Sequence, residues 1–183
     1  DSKGLPVATH IPILMKVENE VITISGHIMR KQDHSNAFEV NKNVLVIFSA
    51  PSAFVSANWY TTKNMGSTWN YQTVHARGLL ELKDETHLRN LLTDLTLYFE
   101  KDLDAPTQVK NLSKEYMEQN MKAIYSFDIV VNDLQHVFKL SQNRDEASHT
   151  NIQKELNKGD DACKYMAAAM KAQSGPKDFH KDL

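Results

Sequence analysis

Two closely spaced stretches decide the fold of this chain: Val55-Ser56-Ala57-Asn58-Trp59-Tyr60 and, after a short turn, Thr68-Trp69-Asn70-Tyr71-Gln72-Thr73-Val74-His75. They place large aromatics, amides and a histidine within about one hairpin. The polar segment 63–67 between them contains Asn64, Gly66 and Ser67, which are typical of turns. The pattern predicts one strand over about 53–60 and a longer strand over about 69–82.

Period-two alternation predicts further strands on both sides of this hairpin. In 20–28, three isoleucines share one face and Thr23, Ser25 and His27 share the other. We expect a strand over 5–14 before it, at an edge or bulge because of Pro12. The segment 44–48 is apolar on both faces, which favours a central strand. A closing strand is expected over 124–131, where apolar residues alternate again. Strands are therefore expected mainly within 5–82 and 124–131.

Helical periodicity follows the long strand. We expect helices over about 85–100, capped by Asp84, over 114–123, capped by Ser113, and over 151–172, the last as two segments opened by a capping box at Thr150–Gln153. The segment 174–183 is charged and has no apolar period, so we expect it to be frayed. Antiparallel strands with helices between and after them predict an α+β fold built on a closed or partly closed barrel. At 183 residues and 41% hydrophobic, residues 1–183 are expected to form a single domain.

Composition excludes several classes of function. The net charge is -2, with 21 Lys and Arg against 23 Asp and Glu, which argues against tight direct binding of nucleic acid. The single Cys163 excludes an internal disulfide framework and has the setting of a packing residue. No run of about 18 apolar residues is long enough to span a bilayer, so we expect a cytoplasmic protein without membrane contact. The eight histidines match no compact zinc spacing, and we expect no metal site.

Four ordered blocks resemble a known family. They are Ala8-Thr9-His10-Ile11-Pro12, Ser25-Gly26-His27, Val44-Leu45-Val46-Ile47-Phe48 and Phe138-Lys139-Leu140-Ser141-Gln142-Asn143-Arg144. With the aromatic hairpin, they resemble the PaiB family of FMN-binding negative transcriptional regulators. The resemblance implies the FMN-binding split barrel, an antiparallel split β-barrel with peripheral helices and a helical C-terminal tail. It also implies a homodimer with flavin sites at the subunit interface. Family members usually carry a helix and a strand before the first block, and we expect both to be absent from this sequence.

Arg30 and Lys31 are the candidate ligands for the FMN phosphate. They leave the strand that carries Ser25 and His27, which we also expect to bind the cofactor. The segment 25–31 is similar to the phosphate-holding segment of pyridoxamine-phosphate-oxidase relatives. Arg suits bidentate contact with phosphate and Lys supplies a mobile charge. The alternative is an exposed basic pair that opens a helix.

The hairpin supplies candidates for the flavin ring. Trp59 and Trp69, with the neighbouring tyrosines, are either a wall against the ring or simple core. Asn70, Gln72 and His75 either meet the polar edge of the ring or pair with backbone at a turn. We place Ser56 in the same site.

The block 139–144 offers further polar groups. Lys139, Gln142, Asn143 and Arg144 either reach a bound ligand or the partner subunit, or they cap the next helix and close a turn. The sequence assigns no catalytic residue.

The function expected is therefore an FMN-binding protein of the PaiB type, regulating transcription through flavin or a small-molecule ligand. A flavin-dependent oxidoreductase acting on a small molecule is the alternative, supported by fold analogy alone. A dimeric binding protein without cofactor is a third possibility.

Overall fold

A computed structural model describes residues 3–173, in which strands and helices are interspersed along the chain. The strands are β1 (Ile13–Glu18), β2 (Val21–Met29), β3 (Asn43–Ser49), β4 (Ala53–Val55), β5 (Thr68–Leu82) and β6 (Ile124–Lys139). The helices are α1 (Asp33–Val40), α2 (Glu85–Glu100), α3 (Lys114–Met121), α4 (Glu146–Leu156) and α5 (Asp161–Ala172). Single turns of 3-10 helix lie at Ala57–Trp59 and Val109–Asn111.

The strands form one sheet in the order β1-β2-β6-β5-β3, and β4 pairs with β5. The pairs β1/β2, β2/β6 and β4/β5 are antiparallel. The register of β2 against β6 sets Ser25 opposite Asp128 and His27 opposite Ser126. Because opposite residues of an antiparallel pair point to the same face, these four side chains share one side of the sheet. The predicted α+β class, with an antiparallel sheet and peripheral helices, is confirmed.

The chain divides into two units, each with its own packing. The first comprises the described parts of 1–46 and 76–133, and the second those of 47–75 and 134–183. In the first unit α2 and α3 pack through Leu88, Met117 and Met121. In the second unit, α4 and α5 pack on β4, and α4 also packs on the 3-10 turn at Ala57–Trp59. Val55, Ile152 and Met166 are fully buried there. A single domain over 1–183 stays a prediction.

Local signals predicted the helices around the middle of the chain well. Asp84 caps α2 by accepting from the His87 amide at 2.8 Å, and Ser113 caps α3 by accepting from the Tyr116 amide at 3.1 Å. The strand expected over 69–82 is β5. The helical C-terminal tail is present, but α4 begins at Glu146 and is capped by Asp145, so the predicted capping box at Thr150 was wrong. The predicted frayed segment 174–183 lies outside the described residues.

Other predictions were wrong where neighbours in space outweigh local pattern. The strand expected over 5–14 is β1, which starts only at Ile13, after Pro6 and Pro12. Residues 33–40, for which the only expectation was the alternative of a helix opened by the basic pair, form α1; the Gln32 amide donates to Ser35 Oγ at 2.9 Å. The closing strand is longer than 124–131, and the strand over 53–60 shortens to β4 followed by a 3-10 turn.

The strand expected to be central, 44–48, lies at the end of the strand order. As part of β3 it exposes Leu45 and Ile47 at 48% and 57% of their surface. The strand is therefore apolar on both faces although only one face is partly buried; the face with Leu45 and Ile47 is exposed.

Candidate functional site

Arg30 is held in place at the end of β2. Its amide donates to the Ala123 carbonyl at 2.8 Å, and its side-chain Nε donates to the Ile124 carbonyl at 2.9 Å. The guanidinium lies over the ring of Tyr125, 3.8 Å from its centroid. Within residues 3–173 no carboxylate pairs with Arg30, so its two terminal nitrogens are left for an outside acceptor.

These nitrogens belong to a cleft of about 280 Å³, which we call the Arg30 cleft. Its cations are Arg30, Lys83 and Lys122, and its apolar wall includes Leu88, Met121, Ile124 and Tyr125; Ser126 also lines it. Three cations suit a ligand with a doubly charged anionic group.

Three carboxylates also line the Arg30 cleft, and each has a partner of its own. Asp84 caps α2, Glu85 lies 3.9 Å from Arg89, and Glu118 lies 3.7 Å from Lys114. Their charges are thus partly directed away from Arg30 and Lys122. The cleft is electrically mixed, with three cations and three carboxylates in its lining.

Lys83 connects the cleft to a polar cluster beneath α2. Its Nζ lies 2.8 Å from Glu81 Oε2 and 3.6 Å from Asp128 Oδ2. The hydrogen bond to Glu81, with a smaller contribution from the charge of Asp128, raises the pKa of Lys83. Lys83 therefore stays cationic at neutral pH.

Asp128 is the centre of that cluster, which we call the His87 cluster: Ser25, His87, Ser126 and Asp128. Ser25 Oγ donates to Asp128 Oδ1 at 2.6 Å, and His87 Nε2 lies 3.1 Å from the same oxygen. His87 Nδ1 lies 3.0 Å from Ser126 Oγ. Both imidazole nitrogens are therefore engaged. Ser25 and His87 also line a second groove, of about 340 Å³, with Leu14, Met15, Lys16, Asn90, Leu91 and Asp94.

His27 lies beside this cluster and has an unused polar atom. It sits opposite Ser126 in the sheet register, and its Nδ1 is buried without a hydrogen-bond partner among residues 3–173. Burial lowers the pKa of His27, which favours the neutral imidazole. A Cβ at the preceding Gly26 would lie 2.8 Å from Phe127 Cζ, so a side chain there would require Phe127 to shift.

The two residues of the predicted basic pair, Arg30 and Lys31, have different surroundings. Arg30 enters the cleft, whereas Lys31 is exposed, adopts a left-handed backbone with φ 58° and does not line it. The pair does lead into α1, as the alternative expected. Among the predicted phosphate residues, Ser25 is engaged with Asp128.

The second unit carries the aromatic candidates. Trp69 is 53% exposed and makes an edge contact with Phe54 at 5.9 Å between ring centroids. Tyr71 is also exposed, and Lys139 lies 5.9 Å from its ring centroid. We call Phe54, Trp69 and Tyr71 the aromatic surface. Trp59, by contrast, is half-buried against the core of the unit.

The polar candidates of the hairpin take different positions. Asn70 is fully buried: its Oδ1 accepts from Ser141 Oγ at 2.9 Å, and its Nδ2 donates to the sulfur of Met170 at 3.3 Å. Ser56 caps the 3-10 turn through the Asn58 amide at 3.2 Å. Gln72 and His75 are half-buried, and Gln72 Oε1 has only a long 3.5 Å contact from Tyr165 Oη.

The block 139–144 folds into a turn, as its structural alternative expected. Gln142 Oε1 accepts from the Leu140 amide at 2.6 Å, while its Nε2 donates to the Phe138 carbonyl. Lys139 donates to Thr68 Oγ1, and the Arg144 guanidinium lies 4.3 Å from the Tyr60 ring centroid. Asn143 is exposed. Most of this block therefore stabilises the end of β6.

Sequence reasoning missed four residues of the first unit: Lys83, His87, Lys122 and Asp128. Only the alternation of β6 offered a signal for Asp128, because it falls on the same face as Ser126. Across residues 3–173 no group of three or more metal-ligating side chains comes together. None of the helices described there is both long and apolar enough to cross a bilayer.

Comparison with known proteins defines the class of this chain. The family model described as "Putative FMN-binding domain" matches residues 1–133. The chain is 36% identical to "Protease synthase and sporulation protein PAI 2" of Bacillus subtilis, over 92% of this chain and 81% of that protein. The chain belongs to the PaiB family.

More distant matches extend the comparison. An uncharacterized protein of Emericella nidulans is 26% identical, over 81% of this chain and 66% of that protein. A crystal structure of the "putative 5-nitroimidazole antibiotic resistance protein" from Bacteroides thetaiotaomicron aligns with a TM-score of 0.47 and 15% identity. That alignment covers 69% of this chain and 66% of the crystallised one.

Proposed function

We propose that this chain binds FMN, with the phosphate in the Arg30 cleft. The observation that carries the proposal is Arg30 itself. Its Nε and its ring contact fix the guanidinium, and its terminal nitrogens have no acceptor among the described residues. A preorganised guanidinium loses little entropy when it takes up a phosphate, so it binds such a group well.

The residues present fit the phosphate of FMN. Arg30 would donate hydrogen bonds to two phosphate oxygens in a bidentate contact, while Lys83 and Lys122 would supply two further charges. His27 Nδ1 is a buried polar atom without a partner in residues 3–173, which a ligand group would satisfy. When bound, the flavin supplies reversible electron transfer; the protein's part is to hold and orient it.

We also propose a homodimer that covers the aromatic surface. Phe54, Trp69 and Tyr71 expose 47%, 53% and 37% of their surface, which is unusual for neighbouring aromatic residues of a monomer. Aromatic residues are enriched in subunit interfaces. Contact of the flavin ring with Trp59 or Trp69, and with Ser56, Gln72 or His75, is part of this proposal. Asn70 is left out because its amide is already used inside the protein.

In cellular terms, we propose a cytoplasmic regulator of the PaiB type that acts through flavin or a small ligand. The net charge of -2 and the mixed charge of the Arg30 cleft do not favour direct, tight binding to DNA. An anisotropy assay with promoter DNA at physiological salt is expected to show no nanomolar binding by the protein alone.

Flavin titration tests the proposed function. FMN and riboflavin differ only in the phosphate, so the Arg30 cleft should make FMN bind about tenfold to hundredfold more tightly, from charged hydrogen bonds of about 1.5 to 3 kcal/mol. The measurement is fluorescence or calorimetric titration of the purified protein with each flavin. Equal affinity for riboflavin and FMN would remove the phosphate from the cleft, and absence of binding by either would reject the function.

A further inference from the structure

The hydrogen bonds of the His87 cluster determine which atoms carry protons. Asp128 already accepts from Ser25 and lies near the cationic Lys83, so it is a carboxylate and acts only as acceptor. His87 Nε2 lies 3.1 Å from Asp128 Oδ1, and the charge of the carboxylate favours the tautomer with the hydrogen on Nε2. In the neutral imidazole the other nitrogen, Nδ1, is therefore an acceptor, and Ser126 Oγ donates its single hydrogen to it.

Protonation of His87 reverses the second of these bonds. Nδ1 then carries a hydrogen and donates to Ser126 Oγ, which releases the hydroxyl hydrogen of Ser126. Ser126 lines the Arg30 cleft with only 1% of its surface exposed, and its carbonyl is already used by the Lys83 amide at 2.9 Å. The released hydrogen would be a donor for an anion that contacts Ser126 in the wall of the cleft, and the imidazolium adds one positive charge behind it.

We propose that His87 is a positioning residue that couples anion binding in the Arg30 cleft to the uptake of one proton. The inference rests on the proposed function for the site, but it concerns the anionic group alone. A bound phosphate or sulfate favours the protonated imidazole, and by linkage the protonated imidazole favours the anion. His87 suits this role because its two ring nitrogens face Asp128 and Ser126, so a second proton on the ring changes the contact with Ser126.

The surroundings of His87 contain several other charged or titratable groups. Asp128 and Ser126 face it from β6, Ser25 and His27 lie on β2, and Asp84 begins its own helix. Beyond them are Lys83 with Glu81, and, along the second groove, Lys16 and Asp94. Of these only His27 is an imidazole, so it is the residue from which His87 must be distinguished.

Sulfate titration tests the coupling, because sulfate keeps its charge over the range in which imidazole titrates. Calorimetry with the full chain at about pH 5.5 and about pH 8 should show sulfate bound roughly fivefold to tenfold more tightly at the lower pH. His87→Gln should bind with the same affinity at both pH values. His27→Gln removes the other imidazole and should keep the dependence on pH, even where it changes the affinity for sulfate. Ser126→Ala should reduce it, since the charge remains but the donor is lost.

A second measurement needs no variant. The imidazole of His87, followed by NMR, should titrate at higher pH when sulfate is present. If His87→Gln retains the pH dependence, if that dependence follows His27, or if sulfate does not bind the cleft, the inference is wrong. A purely structural role would appear as lower stability of His87→Gln with an unchanged pH profile. Failure of FMN to bind, with sulfate binding and its pH dependence intact, would reject only the proposed function.

Discussion

The guanidinium of Arg30 lies over the ring of Tyr125, 3.8 Å from its centroid, and this contact orients it together with the hydrogen bond from Nε to the Ile124 carbonyl. Lys31, its neighbour in sequence, is exposed and outside the cleft. Two adjacent cations with the same formal charge thus have different surroundings. The difference provides a matched pair of variants.

Arg30→Ala should weaken FMN by about 1.5 to 3 kcal/mol, the usual contribution of charged hydrogen bonds. Lys31→Ala should change the affinity by less than about 0.5 kcal/mol, as expected for an exposed charge. Arg30→Lys should fall between them, because an ammonium lacks the planar fork of the guanidinium. Titration with FMN gives all three values. An equal loss in Arg30→Ala and Lys31→Ala would mean that only net charge matters and that the cleft is not the phosphate site.

Asn70 gives a prediction about stability rather than binding. It is fully buried and joins β5 to Ser141 and Met170. Asn70→Ala should lower the free energy of unfolding by about 2 to 4 kcal/mol, from the unpaired Ser141 hydroxyl and the cavity left behind. The exposed Asn143 is the control, and Asn143→Ala should stay within about 0.5 kcal/mol of the parent. Urea denaturation followed by circular dichroism measures both. A neutral Asn70→Ala would show that this buried contact contributes little.

How far the sequence predicts this molecule depends on the distance between interacting residues. Asp84 and Ser113 were predicted as caps because each acts on an amide three residues away. Arg30 was predicted because it ends a strand with clear alternation. The partnership of Ser25 with Asp128 joins residues 103 positions apart, and nothing local to either indicates it. Strand order also depends on pairing between residues far apart in the sequence. For this reason the apolar β3 was expected in the centre of the sheet, whereas it lies at the end of the strand order.

His27 predicts how stability changes with pH. Burial lowers the pKa of His27 below the ordinary value of 6.5, so the unfolded chain takes up a proton at a pH where the folded chain does not. Its contribution to stability is therefore complete above about pH 6.5 and is lost as the pH falls from there toward the folded-state value. His27→Gln should remove this part of the acid destabilisation.

Denaturant unfolding of parent and variant across that interval measures the effect. Above about pH 6.5 the two curves of stability against pH should run parallel, and below it the parent should lose stability more steeply than His27→Gln. Parallel curves throughout would show that His27 does not titrate differently in the folded and unfolded states.

Another prediction concerns the homodimer. Ile47, which is 57% exposed on β3, belongs to the same unit as the aromatic surface of Phe54, Trp69 and Tyr71. Burying such a side chain contributes about 1.5 to 3 kcal/mol, so Ile47→Glu should weaken dimerisation by roughly tenfold or more. Leu103→Glu changes an equally exposed apolar residue outside this unit and should leave the association unchanged. Analytical ultracentrifugation at micromolar concentration should find the parent dimeric and Ile47→Glu shifted toward monomer. A parent protein that sediments only as monomer would contradict the interface.

FMN should also quench tryptophan fluorescence, because Trp59 or Trp69 is proposed to contact the flavin ring. Trp69→Phe should reduce that quenching. Tryptophan fluorescence unaffected by saturating FMN would contradict the flavin contact.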